Sequence, residues 1–526
     1  MGTPAEFWMK MKTSIKKEWK IAFWTAVLMG LLVHMPAMIH DVPNHDGLDS
    51  MYFDQNMITS GRWFLTIACG FSSYFNLPWL IGLLSVLILG VTAVALTELL
   101  ELQRGWVIVL VSGLLVTFPA LASTFAYIFT MDGYMLALLL AVLAVLLTKK
   151  YRYGFVGGAV CLACSLGTYQ SYLPFAILLC IYSIAICLME NGERKKKMKT
   201  ILNYLSMGVL GGGLYLIVLQ VLLKIQGKEL DTYQGINTMG AGEGAVSQGL
   251  WNTVRGMYTD FVRFTLRGNV VFNNFFSGAA LLILLAVAAG VLIAVCLRRK
   301  WWKNPVFFVI MVLLVLGLPL STNVILLISP NVTYHLLMRY QWVVYPILLL
   351  ALCDHCMEEG GEKPFVQWGL LCAGAVLVFN YIVTDNIAYS NLQKRYEKTY
   401  AYCVRLLDRI EQTQGYYHGI PIAMVGVVGD YEYPITDITG DVTDEMIGIS
   451  GDVLLYTGKN YKEFMEYYLG ATLNILEPEA MAEMYYSEEY MAMDSFPGPA
   501  STKVIDGILY VKTENTDRNE SESGGR

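Results

Sequence analysis

Long apolar runs recur along this chain, and no other feature limits its fold as strongly. The stretch from Leu77 to Leu100 is one and that from Ser277 to Leu297 another. Each matches the ~20 residues that a helix needs to cross ~30 Å of hydrocarbon. Inside lipid a backbone must satisfy its own hydrogen bonds, so repeated runs of this length mean a bundle of helices. Composition agrees, because 55% of the 526 residues are hydrophobic and only 15% are charged, far too apolar for soluble cores. A cytosolic enzyme, a nucleic-acid-binding protein and a disordered chain are excluded.

About eleven candidate spans can be read: 21–40, 77–97, 106–123, 132–148, 154–168, 172–189, 203–223, 277–297, 305–328, 334–353 and 365–384. The fifth is short, and the region from Phe118 to Thr130 reads as re-entrant as readily as spanning. Basic residues cluster before the first span and in alternate loops, notably Arg194 to Lys199 and Arg298 to Lys303. By the positive-inside rule the amino terminus is then cytoplasmic, and an odd span count puts the carboxyl-terminal part outside. The acidic loop from Cys353 to Lys363 departs from this pattern. The first run is read as a retained anchor, since Pro36 stands where a cleaved signal would carry small residues.

Charge divides the chain at the last span. From Asp385 onward there are 11 Lys and Arg against 24 Asp and Glu, a net of −13, whereas the first 384 residues carry +7. The expected organisation is a polytopic α-helical membrane domain over 1–384, with external loops at about 40–76 and 225–276. An extracytoplasmic α/β domain over 385–513 and a disordered end over 514–526 complete it. Within the α/β part, helices are expected at 392–412 and 461–469 and strands at 420–428 and 507–512. Within the second loop, the glycine-rich 235–249 reads as a mobile loop and the aromatic 251–276 as interfacial helix. The ten cysteines form no disulfide framework. Cys353 and Cys356 have metal-like spacing but no second pair, so membrane-edge cysteines are the expectation.

The chemistry-bearing stretch follows the first span. It holds Asp41, Asp46, Asp49 and Asp54 with His40 and His45, and then Gly61-Arg62-Trp63. Such carboxylates serve as a general base, as metal ligands, or simply as a solvated loop. Asp46 is the leading candidate, placed between His45 and Gly47, where the backbone can turn sharply. Arg62 suits a bidentate clamp on phosphate, and it also suits a side chain that snorkels at the interface.

These residues, together with Met131-Asp132-Gly133-Tyr134, Gly167-Thr168-Tyr169-Gln170-Ser171 and Met338-Arg339-Tyr340, resemble the GtrII-type bacterial membrane glucosyltransferases of the GT-C class. The resemblance covers about 20–384. It implies a GT-C-like enzyme of the bacterial plasma membrane that takes a sugar from a polyprenyl-phosphate carrier and passes it to a cell-surface glycan on the outer face. Under that reading Asp46, Asp49 and Asp132 are the catalytic candidates, and His45, Arg62, Tyr169, Gln170 and Arg339 bind substrate. A Mg²⁺ or Mn²⁺ ion held by Asp46, Asp49 or Asp132 can assist or replace the arginines. Asp132 reads equally as a helix cap, and Tyr169, Gln170 and Arg339 equally as membrane-boundary residues. The competing classes are a transporter or flippase of lipid-linked sugars and a sensor whose acidic tail binds a partner. Against the first, the charges lie at span ends and no repeat is visible. The tail shows no catalytic set, so its removal after Asp385 is expected to leave transfer to a simple acceptor partly intact.

Overall fold

The computed structural model describes residues 3–6, 13–190, 192–231, 249–301, 305–329, 332–360, 364–425, 440–443, 446, 449, 455, 458–485 and 487–513. Two compact units make up the chain. The first comprises Met1–Ile39, Tyr52–Asn386 and Glu445–Ile447, and the second His40–Met51, Ile387–Asp444 and Gly448–Arg526. The acidic segment after the first span therefore packs with the second unit. Sequence alone had given it to one loop with Arg62.

Among the described residues of the first unit seven helices are long and apolar enough to cross a membrane: Lys17–Ile39, Pro78–Leu100, Ile128–Lys150, Gln170–Met189, Arg194–Gln226, Phe275–Arg299 and Pro364–Glu411, the last of which continues into the second unit. A pair bent by 43°, Gly105–Thr117 and Pro119–Phe125, makes an eighth. The chain is a multi-pass helical membrane protein. The remaining runs give shorter elements for local reasons. The fifth supplies only the 15-residue helix Gly154–Thr168. The ninth is interrupted near Gly317 and Pro319 into Pro305–Leu316, Leu318–Thr322 and Val324–Ile328. The tenth begins as 3₁₀ turns, Leu336–Met338 and Tyr340–Val343, before the helix Val344–Gly360. The glycine-rich 235–248 lies outside the described residues, and the aromatic run after it forms one helix, Leu250–Arg267.

The bend at Phe118–Pro119 shows how this interior satisfies its backbone. Pro119 has no N–H to offer the Leu115 carbonyl one turn earlier. The buried Tyr340 hydroxyl donates to that carbonyl instead. His34 Nε2 lies 2.7 Å from the Val116 carbonyl, which places the proton on that nitrogen, and its ring stacks on Phe125 at 4.3 Å. Elsewhere Arg104 Nη1 pairs with Asp354 Oδ1 at 2.8 Å, and the Gln103 amide donates to Oδ2 at 3.0 Å. Asp354 is thus engaged by Arg104 and Gln103, and Cys353 and Cys356 are in no disulfide.

Among the described residues the second unit carries a four-stranded sheet in the order β2-β1-β4-β3, with β1 Pro421–Val425, β2 Asn474–Ile475, β3 Thr502–Ile505 and β4 Ile508–Lys512. β1 is parallel to both neighbours, while β3 and β4 form a hairpin across Asp506-Gly507, a pair suited to two-residue turns. Alternate residues of the strands, Ile422, Met424, Leu509 and Val511, meet Leu406 and Ile410 of the long helix and Phe464 of helix Gly458–Leu469. The helix expected at 392–412 is the continuation of Pro364–Glu411. No Gly or Pro separates it from the last apolar run, so nothing in the sequence stops the helix.

Candidate active site

The Gly61-Arg62-Trp63 corner is built from the backbone outward. A 3₁₀ turn, Ile58–Ser60, ends at Gly61 with φ 75°, a left-handed conformation that glycine adopts at little cost. The Gly61 amide donates to Ile58 O at 2.9 Å and that of Arg62 to Met57 O at 3.1 Å, which turns the Arg62 side chain inward. The Phe64 amide donates to Gly167 O at 2.7 Å. Trp63 lies so close to Gly167 that a Cβ there would stand 2.5 Å from the indole. The corner is thereby fixed against the Thr168-Tyr169-Gln170 bend.

Around the half-buried Arg62, Nη1 donates to the Tyr134 hydroxyl at 3.2 Å, and the guanidinium stands 5.1 Å from the Tyr169 ring centre. Tyr134 and Tyr169 stack at 4.3 Å with their planes 12° apart. Burial, with Tyr134 beside it, pushes the Tyr169 phenol above its ordinary range, so it keeps its proton. The Gln170 amide donates to Ser60 O at 3.1 Å and to the Tyr215 hydroxyl at 3.2 Å, and Tyr215 donates to Gly61 O at 3.2 Å. Arg62, Tyr169 and Gln170, distant in sequence, come together here. Tyr134 and Tyr215 complete the set; sequence places Tyr134 in a motif without a role and does not name Tyr215. Tyr134 had a signal, because it lies two residues after Asp132 at the start of an apolar helix.

Asp132 occupies the first turn of helix Met131–Lys150 and is 4% exposed. Its Oδ2 accepts the Ser72 hydroxyl at 2.5 Å and its Oδ1 the Gly133 amide at 2.9 Å. The N-cap of this helix is Thr130, so Asp132 is not the cap; it lies inside the first turn, where its carboxylate accepts the amide of the next residue.

Arg339 is 6% exposed and engaged on every side. Nη1 and Nη2 reach the two oxygens of Asp260 at 2.7 and 2.9 Å, and Nε donates to Tyr334 O at 3.0 Å. Its guanidinium also lies 3.9 Å from the Tyr334 ring centre and 4.4 Å from that of Phe264. Asn323 adds a bond to Asp260 at 3.1 Å. Asp260 escaped sequence reasoning, although it is the sole acid on the otherwise basic and aromatic helix Leu250–Arg267.

His45, Asp46 and Asp49 lie in the second unit, on the short helix His45–Asp49. Asn44 caps it, accepting the Gly47 amide at 2.7 Å. The Asp46 side chain is 52% exposed, and its Oδ1 lies 3.3 Å from His45 Nε2. Asp49 pairs with Lys459 at 3.1 Å and accepts from Asn460 at 3.2 Å. Burial lowers the His45 pKa; Asp46 and Asp49 pull against this, and Arg395 adds to it. Burial also pulls Lys459 down, but the hydrogen bond and charge of Asp49 outweigh it and the net shift is upward. Among the described residues no three His, Cys, Asp or Glu side chains gather as a metal-binding set. The donors expected to hold Mg²⁺ or Mn²⁺ are not assembled among the described residues.

Against known families, residues 35–354 match the one described as Glucosyl transferase GtrII. The match spans more than half of the chain. The chain belongs to the GtrII glucosyl transferase family. No curated protein and no solved structure gives a match. The GtrII region takes in the acidic helix, the Arg62 corner, Asp132 and Arg339, and it ends before the long helix that leads into the second unit. A GtrII protein needs a sugar donor and an acceptor, and this one meets them as a membrane protein.

Proposed function

We propose that this chain transfers a hexose, glucose by the family's description, from a polyprenyl-phosphate carrier to a cell-surface glycan. The reaction is placed at the outer face of the bacterial plasma membrane, with the amino terminus in the cytoplasm and the second unit outside. One observation carries this beyond family membership: Arg62 is presented half-buried beside the stacked pair Tyr134–Tyr169 and close to Gln170. A guanidinium offers paired donors to phosphate, while aromatic faces and an amide suit a sugar ring and its hydroxyls.

In the proposed reaction the acceptor hydroxyl attacks the anomeric carbon, and the bond from that carbon to the carrier's phosphate oxygen breaks with its electron pair leaving on the phosphate. Asp46 takes the hydroxyl proton, because its carboxylate is half exposed and has His45 to orient it. Arg62 offsets the charge that grows on the departing phosphate. His45 is assigned to the acceptor side. Asp49 and Asp132 are assigned supporting roles, since their oxygens already hold protein groups. Arg339 is assigned to the frame, because Asp260 and Tyr334 take up its donors.

The test uses the full chain in lipid with a polyprenyl-phospho-glucose donor. Asp46→Asn is expected to lower kcat by ~10²-fold or more with little change in donor binding. Arg62→Ala is expected to weaken donor binding as well as turnover, because the phosphate is charged before and during the reaction. Near-normal transfer by Asp46→Asn removes it as the base. Movement of the intact lipid-linked sugar across the bilayer, with no transfer, overturns the enzyme reading.

A further inference from the structure

Read from sequence, the acidic tail shows no catalytic set and is expected to bind or position the acceptor or only to stabilise assembly; the fold of the second unit points to a further role. Leu48, in the middle of the acidic helix, is 1% exposed and belongs to the same apolar core as Leu406, Ile422, Phe464 and Leu509. One residue further on, Asp49 is held by Lys459 at 3.1 Å and by the Asn460 amide at 3.2 Å. The Asn460 amide also reaches the His45 carbonyl at 3.5 Å, so it touches both ends of the helix. Upstream, the Tyr468 hydroxyl donates to Asp41 at 3.1 Å. Lys459, Asn460 and Tyr468 all belong to helix Gly458–Leu469. A five-residue helix has no stability of its own. Its shape, and so the direction of Asp46, depends on the helix that holds it.

We infer that the helix Gly458–Leu469 seats the acidic helix, with Lys459 and Asn460 acting as positioning residues for Asp46. The inference rests on the reading of Asp46 as the base. Asp46 itself stays half exposed, while its neighbours on both sides are tied down. The second unit is thereby part of the catalytic apparatus through the chain segment it holds, without supplying a group that touches substrate.

A charge swap tests this in the full chain in lipid. Asp49→Lys and Lys459→Asp, each alone, are expected to lower kcat by ~10-fold or more, with donor KM changed by less than about twofold. Each also speeds amide exchange over the helix His45–Asp49, a readout independent of activity. The double variant restores the pair with its sign reversed, and both kcat and protection are expected to return to within about threefold of the parent. Asn460→Ala should show the same direction with a smaller fall. Unchanged kcat in the single variants, or a double variant no better than the worse single, overturns the seating. Asp46→Asn, measured alongside, separates the two ideas. Its loss of activity together with inert single reversals sinks the seating alone. Its full activity sinks the reading on which the seating rests.

Discussion

The Arg62 corner and the acidic helix lie within some twenty residues of each other in sequence, yet they are built on opposite principles. Arg62 meets the Tyr134 phenol and the Tyr169 ring, and beside it the Gln170 amide and the Tyr215 phenol bond the Ser60 and Gly61 carbonyls, on a frame of buried tyrosines. Around the acidic helix the partners are charges of both signs, Asp46 beside His45 and Asp49 beside Lys459, on a surface that water reaches. A cation among neutral polar groups suits the holding of an anion. A half-exposed carboxylate among mixed charges suits the exchange of a proton. Neighbours in sequence thus belong to different units, and in the proposed reaction they have different tasks.

The largest effect that separates these regions should come from deletion of the chain after Asn386. It removes the partners of Leu48 and Asp49 while leaving Tyr134 and Tyr169 beside Arg62. Transfer is expected to fall by more than ~10²-fold, with donor binding retained. This reverses the expectation from sequence that transfer to a simple acceptor survives. Substantial transfer by a truncated chain that inserts would show that the acidic helix acts without its seat. Asp260→Asn should come next. It leaves Arg339 short of its counter-charge, and breaking one side of a buried pair costs ~3–5 kcal/mol. Thermal inactivation in detergent measures this, whereas Arg62→Ala should leave that temperature nearly unchanged. Leu48→Ala is expected to destabilise the second unit by about 2–5 kcal/mol and to lower kcat, with donor binding at the Arg62 corner unaffected. Equal loss of donor binding would show that the two regions are not separable.

The smallest effect concerns pH. Burial holds the His45 pKa below its ordinary 6.5. Below about pH 6.5 the unfolded chain therefore binds more protons than the folded one, and stability falls as pH falls. Asp41 and Glu463, both raised by burial, act in the opposite sense at lower pH. The difference between parent and His45→Gln isolates the imidazole. The variant's melting temperature should change less between pH 7 and pH 5.5 (about a degree or two for a small domain). A parallel fall in both proteins would remove His45 from the pH response.

How much could be read beforehand follows from these same residues. The apolar runs announce a helical membrane protein because lipid leaves the backbone few choices. Arg62, Tyr169 and Gln170 were legible because aromatic and glycine-bearing motifs stood at the ends of those runs. The pairing of Arg339 with Asp260 was not, since an arginine at a membrane edge looks alike whether it awaits phosphate or already has a carboxylate. Nor was the partnership of Leu48 with the tail. One leucine among aspartates carries no periodic signal, and its core partners lie more than 350 residues away. Tertiary packing alone decides which unit owns such a segment.

The bend at Pro119 has a consequence in the order of synthesis. The imidazole that serves Val116 lies 82 residues before it, and the hydroxyl that serves Leu115 lies 225 residues after it. When the bend first enters the membrane one cap is already present and the other has not been made. A chain interrupted before Tyr340 carries a bare carbonyl in lipid, a fault of several kcal/mol. Completion of the tenth run heals it. The bend is in this sense a clock as well as a corner, since it reaches its final stability only when the chain that surrounds it has been completed.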